Sequence, residues 1–91
     1  MRFSITRLCG GMALMVSSKD NLDIDLAHAS KVFSGEGEIT QIDDAMMVMK
    51  WNKMEVTIYP QGKVMFHPLT DKETALKYTS ELLNKLILKS D

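Results

Sequence analysis

Four short apolar segments lie between Glu38 and Leu69, and no more than three residues separate any neighbouring pair. They read EITQI, AMMVMKW, MEVTIYP and KVMFHPL, with Asp43-Asp44, Asn52-Lys53 and Pro60-Gln61-Gly62 between them. Links this short suit hairpins, whereas parallel strands need a crossover of about a dozen residues or more. The middle of the chain is therefore expected to be a four-stranded antiparallel meander.

The last hairpin can be read residue by residue. Pro60 supplies the φ that position i+1 of a type I turn needs, and Gln61 follows at i+2. Gly62 then takes the left-handed position of a G1 bulge. This turn pairs Tyr59 with Lys63, Ile58 with Val64, Thr57 with Met65, Val56 with Phe66 and Glu55 with His67. Alternation puts Met54, Val56, Ile58, Val64 and Phe66 on a core face. Glu55, Thr57, Tyr59, Lys63, Met65 and His67 fall on the other face, which is mixed.

Thr70-Asp71-Lys72-Glu73 fits the S/T-x-x-E capping box, with Thr70 as the cap. It predicts a helix to about Leu88 with Ala75, Leu76, Thr79, Leu82, Leu83, Leu86 and Ile87 on one stripe. Lys72, Glu73, Lys77, Glu81 and Lys85 take its solvated side. An earlier helix is expected within Leu22 to Phe33, where Leu26, Ala29, Ser30 and Phe33 recur at helical spacing. Asp23 or Asp25 can cap it, and Gly35 ends it. Upstream, RFSITRL alternates and reads as a strand. GMALMVSS is apolar and fits either a second strand or a short helix. The order β-α-β-β-β-β-α implies an α+β fold: an antiparallel sheet of about five strands with two helices on one face.

The chain has 91 residues, one domain near the lower limit for a self-sufficient core, and 45% of them are apolar. Lysine plus arginine number 11 against 12 aspartates and glutamates, so the basic excess of a nucleic-acid module is absent. Cys9 is the single cysteine, which excludes an internal disulfide and fits a reducing compartment. The run from Gly10 to Val16 is at the bottom of signal-peptide length, with Arg7 and two glycines against it, and is far too short to span a bilayer. A cytoplasmic location away from membranes is the expectation.

The element order resembles one half-repeat of the TATA-binding protein family, from about Ala13 to Ile87. Leu22-Asp23 stands where that half-repeat opens its first helix. YPQGK at 59–63 is similar to its hairpin of an aromatic, two turn residues and Gly-Lys, and TDKE to the acidic helix start that follows. The resemblance places the chain beside small archaeal proteins built on one such half-repeat. It implies a half-saddle whose open sheet face does the binding. In the DNA-binding family that face inserts phenylalanines into the minor groove. Here Tyr59 stands in a wedge position and Met65 in a contact position. The chain holds one half-repeat where the DNA binders hold two. Its basic flank is only Lys50, Lys53 and Lys63, against Glu36, Glu38, Asp43, Asp44 and Glu55.

With tight turns, the open face is expected to carry Ile39, Gln41, Met46, Val48, Lys50, Thr57, Tyr59, Met65 and His67. A slip of one residue would instead turn Met47 and Met49 outward. Either register leaves an apolar, methionine-containing surface, which suits an adaptable partner. The candidate partner-binding residues are Met46, Val48, Lys50, Tyr59, Lys63, Met65 and His67, and a homodimer or another protein is the expected partner. Nucleic acid, through Tyr59, Lys63 and Lys50, is the alternative from a second class. A redox or enzymatic role at Cys9 is the third, and needs a cation or helix N-terminus to lower its pKa.

Nothing else in the sequence points to catalysis, a cofactor or a metal. Cys9, His28 and His67 lack zinc-site spacing. His28 is expected half-exposed on its helix, and His67 opposite Glu55 makes a simple cross-strand pair. GEGE at 35–38 is acidic and has no G-K-[ST] after it, so it is not a phosphate loop. Asp23, Asp25, Asp43 and Asp44 are explained by caps and turns more simply than by calcium.

Overall fold

The computed structural model describes residues 3–7, 12–19 and 23–88. A hairpin of β1 (Phe3–Arg7) and β2 (Leu14–Ser18) comes first, followed by α1 (Leu26–Phe33). Then come β3 (Glu38–Ile42), β4 (Met47–Trp51), β5 (Met54–Tyr59), β6 (Lys63–His67) and α2 (Lys72–Leu88). The strands form one antiparallel sheet in the order β1-β2-β6-β5-β4-β3. The meander β3 to β6 is present as expected, and α1 carries the chain from β2 to the far edge where it begins.

The sheet has six strands rather than about five because both N-terminal segments are strands. Met12 to Val16 contains good helix formers, but Leu14 and Val16 are fully buried beside Val64 and Phe66 of β6. Two buried residues two positions apart demand strand geometry, and that burial outweighs the small helix propensities.

Turn chemistry sets the registers. Gly62 has φ 97° and its N–H donates to the Tyr59 carbonyl at 3.1 Å, closing the turn read from Pro60-Gln61-Gly62. Every expected pair from Tyr59–Lys63 to Glu55–His67 is in place. Between β4 and β5, Asn52 and Lys53 have φ of 52° and 67°, while Trp51 pairs with Met54. Two consecutive left-handed residues make this a type I′ turn, which asparagine tolerates and lysine does not favour. β3 is less regular: Ile39 pairs with Met49 and Gln41 with Val48, leaving Thr40 as a bulge.

Both helices cover one face. Leu26, Ala29 and Phe33 of α1, with Ala75, Leu82, Leu83 and Leu86 of α2, bury Val16, Val64, Phe66, Val56, Ile58, Met47 and Met49. Thr79 is buried with them, and its hydroxyl donates to the Ala75 carbonyl, so it enters the core with its donor satisfied. Leu76 packs against this cluster half-buried. Ile87 was expected on the same stripe, but its side chain lies outside the described residues. At the rim, Tyr78 meets Trp51 edge-on with ring centroids 5.0 Å apart. Its hydroxyl accepts from the Asn52 amide at 2.8 Å, tying α2 to the β4–β5 turn.

The helix ends differ from the sequence reading in two places. For α1 the cap is Asp25, whose carboxylate accepts from the N–H groups of Ala27 and His28. Its C-terminus does not use a left-handed Gly35. Instead, the Phe33 carbonyl accepts from both Glu36 and Gly37 N–H groups. The glycine that matters is Gly37, where a Cβ would lie 2.6 Å from the Lys50 carbonyl oxygen. α2 starts at Lys72, so Asp71 and not Thr70 caps it. Asp71 accepts from the Glu73 N–H and the Thr74 hydroxyl. The box pattern was offset by one residue because an aspartate within it competes for the same role.

Asp71→Ala should therefore lower unfolding free energy by about 1 kcal/mol in urea titrations, and Thr70→Ala by clearly less. Lys53→Gly, which relieves a left-handed lysine, should raise it by about 0.5–1 kcal/mol in the same assay.

Candidate functional site

The face opposite the helices has no element covering it among the described residues, and the registers arrange its side chains in three rows. The central row runs across all six strands: Thr6, Met15, Met65, Thr57, Val48 and Gln41. Thr57 in the middle is only 2% exposed although it faces away from the helices, because its longer neighbours close over it. Met15, Met65 and Val48 are half-buried around it. The result is a shallow apolar band four strands wide.

Charge flanks the band on one side. His67, Glu55, Lys50 and Glu38 succeed one another across β6, β5, β4 and β3. Opposite charges in neighbouring strands attract by roughly 0.2–1 kcal/mol per pair, so the row is self-compensating. On the other side lie Ser4, Ser17, Lys63 and Tyr59. Lys50 and Lys63 balance Glu38 and Glu55, leaving no net charge on the face with histidine neutral.

Six of the seven candidate residues fall on this surface or border it directly. Val48, Lys50, Tyr59, Lys63, Met65 and His67 project from β4, β5 and β6 on the open side. Met46 precedes β4 in the turn and is half-buried. Of the two registers open for β4, the one with Met47 and Met49 inward is found, since both are fully buried. Ile39 does not belong to the face. The bulge at Thr40 shifts the phase of β3, so Ile39 lies opposite Met49 and packs against the core. Met15, Ser17, Thr6 and Glu38 belong to the surface and were missed. The period-two spacing of Leu14 and Val16 was the signal that could have placed Met15 there.

The other candidates separate. Cys9, with Gly10 and Gly11, lies outside the described residues, as does Leu22. Arg7 donates to the Thr70 carbonyl at 3.4 Å. His28 is half-buried, with its Nε2 enclosed and without a hydrogen-bond partner. Asp23, Asp25, Asp43 and Asp44 do come together, around a hollow that also exposes Ile42. Asp25 is occupied as a helix cap, and Asp43 as the anchor of the β3–β4 turn. Its Oδ1 accepts from the N–H groups of Ala45 and Met46 at 2.7 and 3.0 Å. Among the described residues, no group of three or more His, Cys, Asp or Glu side chains is placed to hold a metal ion. None of the described helices is long and apolar enough to cross a membrane.

No family model, curated protein or solved structure matches the chain.

The turn that delivers β4 to the face holds a carboxyl group that its hydrogen bonds favour in the ionised form. Hydrogen bonds from Ala45 and then Met46, with a smaller contribution from Gln41, hold the Asp43 carboxyl below its ordinary 3.8. A depressed folded-state value stabilises the native state above the unfolded value, and the benefit fades as pH falls through the folded one. Asp43→Asn keeps an acceptor without the charge. Wild type should exceed it in stability at about pH 5, and the gap should narrow as pH is lowered through the acidic range, read by urea titration at each pH.

Proposed function

We propose that this domain is a non-catalytic binding and assembly module that docks a protein, another copy of itself included, on its open sheet face. The observation that carries the reading is the band of Met15, Met65, Thr57 and Val48, continuous over four strands on the face the helices leave open. Half-buried methionines give such a band shape without rigidity, and methionine adapts to different apolar surfaces. The neutral charge rows on either side orient a partner without strongly attracting any polyanion.

In this reading Val48, Lys50, Tyr59, Lys63, Met65 and His67 are contact residues, Met15 joins them, and Met46 in the turn before β4 does not. The resemblance to a TATA-binding-protein half-repeat supports a half-saddle used for binding. Glu38 and Glu55 among the lysines oppose its use on phosphate. A nucleic acid would have to accept two carboxylates in the same surface that offers it two cations.

The test replaces the band. Val48→Lys with Met65→Lys changes half-exposed side chains, so Tm should move by less than about 4 °C. Capture of a defined protein by the tagged wild-type domain should be lost in this variant. Equal capture by both proteins would refute docking on this face. Tight binding of duplex DNA that weakens steeply with salt would replace it with the nucleic-acid reading.

A further inference from the structure

The two edges of the sheet are built differently. β3 is protected: the Thr40 bulge breaks its ladder and exposed Glu38 lies on it, both common devices against edge pairing. β1 has no bulge, and its one charged residue, Arg7, stands at the end of the strand. Phe3-Ser4-Ile5-Thr6-Arg7 contains no proline, glycine, lysine or carboxylate, and it pairs with β2 in unbroken register over all five residues. Among the described residues β2 is its one strand neighbour, so its outer N–H and C=O groups meet no other strand.

The segment is also self-complementary. If two copies meet antiparallel about a two-fold axis at Ile5, Ile5 faces Ile5, Ser4 faces Thr6, and Phe3 faces Arg7 of the second copy. Phe3 and Ile5 pack against the core on the helix side, so their pairing extends both cores across the seam. Ser4 and Thr6 lie on the open side, where small hydroxyl side chains suit cross-strand hydrogen bonds. Arg7 has an aromatic face opposite it. The two arginines lie at opposite ends of the seam, roughly 14 Å apart by strand rise. That exceeds the screening length of about 8 Å, so their repulsion is weak.

We infer that two copies of this chain join edge to edge through β1, making one continuous antiparallel sheet from two six-stranded ones. This goes beyond the docking reading and does not rest on it: copies meet side by side at the edge, and both apolar bands stay open on the same surface. The seam uses an isologous patch, as a closed two-fold dimer requires.

Light scattering coupled to size exclusion, over a concentration series, tests it. Wild type should pass from monomer to dimer. Ser4→Lys with Thr6→Lys places like charges opposite each other only in the dimer, and should weaken it at least tenfold. Mixing that variant with Ser4→Glu/Thr6→Glu should restore a one-to-one dimer. Val48→Lys/Met65→Lys should leave the dimer intact, so failure of docking and failure of the seam give different results. A second measurement needs no disruption. In a Cys9→Ser background, Ile5→Cys should form a disulfide dimer on mild oxidation, because residues on the axis lie about 4.5–5.5 Å apart. Ile42→Cys on the protected edge should not. A wild type that stays monomeric, or a dimer lost on changing the band and kept on changing β1, overturns the inference. So does an Ile5→Cys protein that forms no disulfide.

Discussion

The structure depends on one buried layer, the inner sheet face closed by α1 and α2. Phe33, Leu82 and Leu83 cover the residues where β2, β6, β5 and β4 meet, and all are essentially inaccessible to water. Each such side chain contributes about 1.5–3 kcal/mol, against a backbone ordering cost of about 1–2 kcal/mol per residue. A chain this short has few residues to spare for that balance. Nearly every large apolar side chain must therefore go to one face, which leaves the other to chance neighbours and to function.

Because the inner face is so fully specified, the outer rows follow from it. Burying Val56 and Ile58 turns Thr57 outward, and burying Val64 and Phe66 does the same to Met65. The glycine bulge at Gly62 then brings Thr57 and Met65 opposite each other, and the Asn52-Lys53 turn brings Val48 to Thr57. The apolar band is thus a product of two hairpin registers and one core. Its proposed role as a docking surface and the proposed β1 seam use different parts of the same sheet, the face and the edge.

The hairpin from Glu55 to His67 was legible in full, since proline and glycine in a three-residue link leave few turns to choose from. The open side of β5 and β6 was legible for the same reason, whereas β4 kept two possible registers until the burial of Met47 and Met49 chose between them. Ile39 was not, because a bulge is one extra residue without a compositional mark, and Thr40 looks like any strand threonine. The cap of α2 was misplaced from Asp71 to Thr70 because both residue types can accept a backbone N–H and only geometry chooses between them. Met15 was hidden by a segment whose propensities allow helix as readily as strand.

By itself the sequence determined what short-range chemistry controls: the meander, its tight turns, two amphipathic helices and the inward faces of β5 and β6. These depend on neighbours a few residues apart, through φ preferences and alternation. Tertiary structure alone decided that Leu14–Ser18 is a strand inserted between β1 and β6. It also decided that β3 is bulged and that β1 is an edge strand of the sheet. The first of these depends on a pairing partner some fifty residues away along the chain, Val16 with Val64. No local preference encodes such a partner, because the energy that selects it comes from burial that exists only once the sheet has closed.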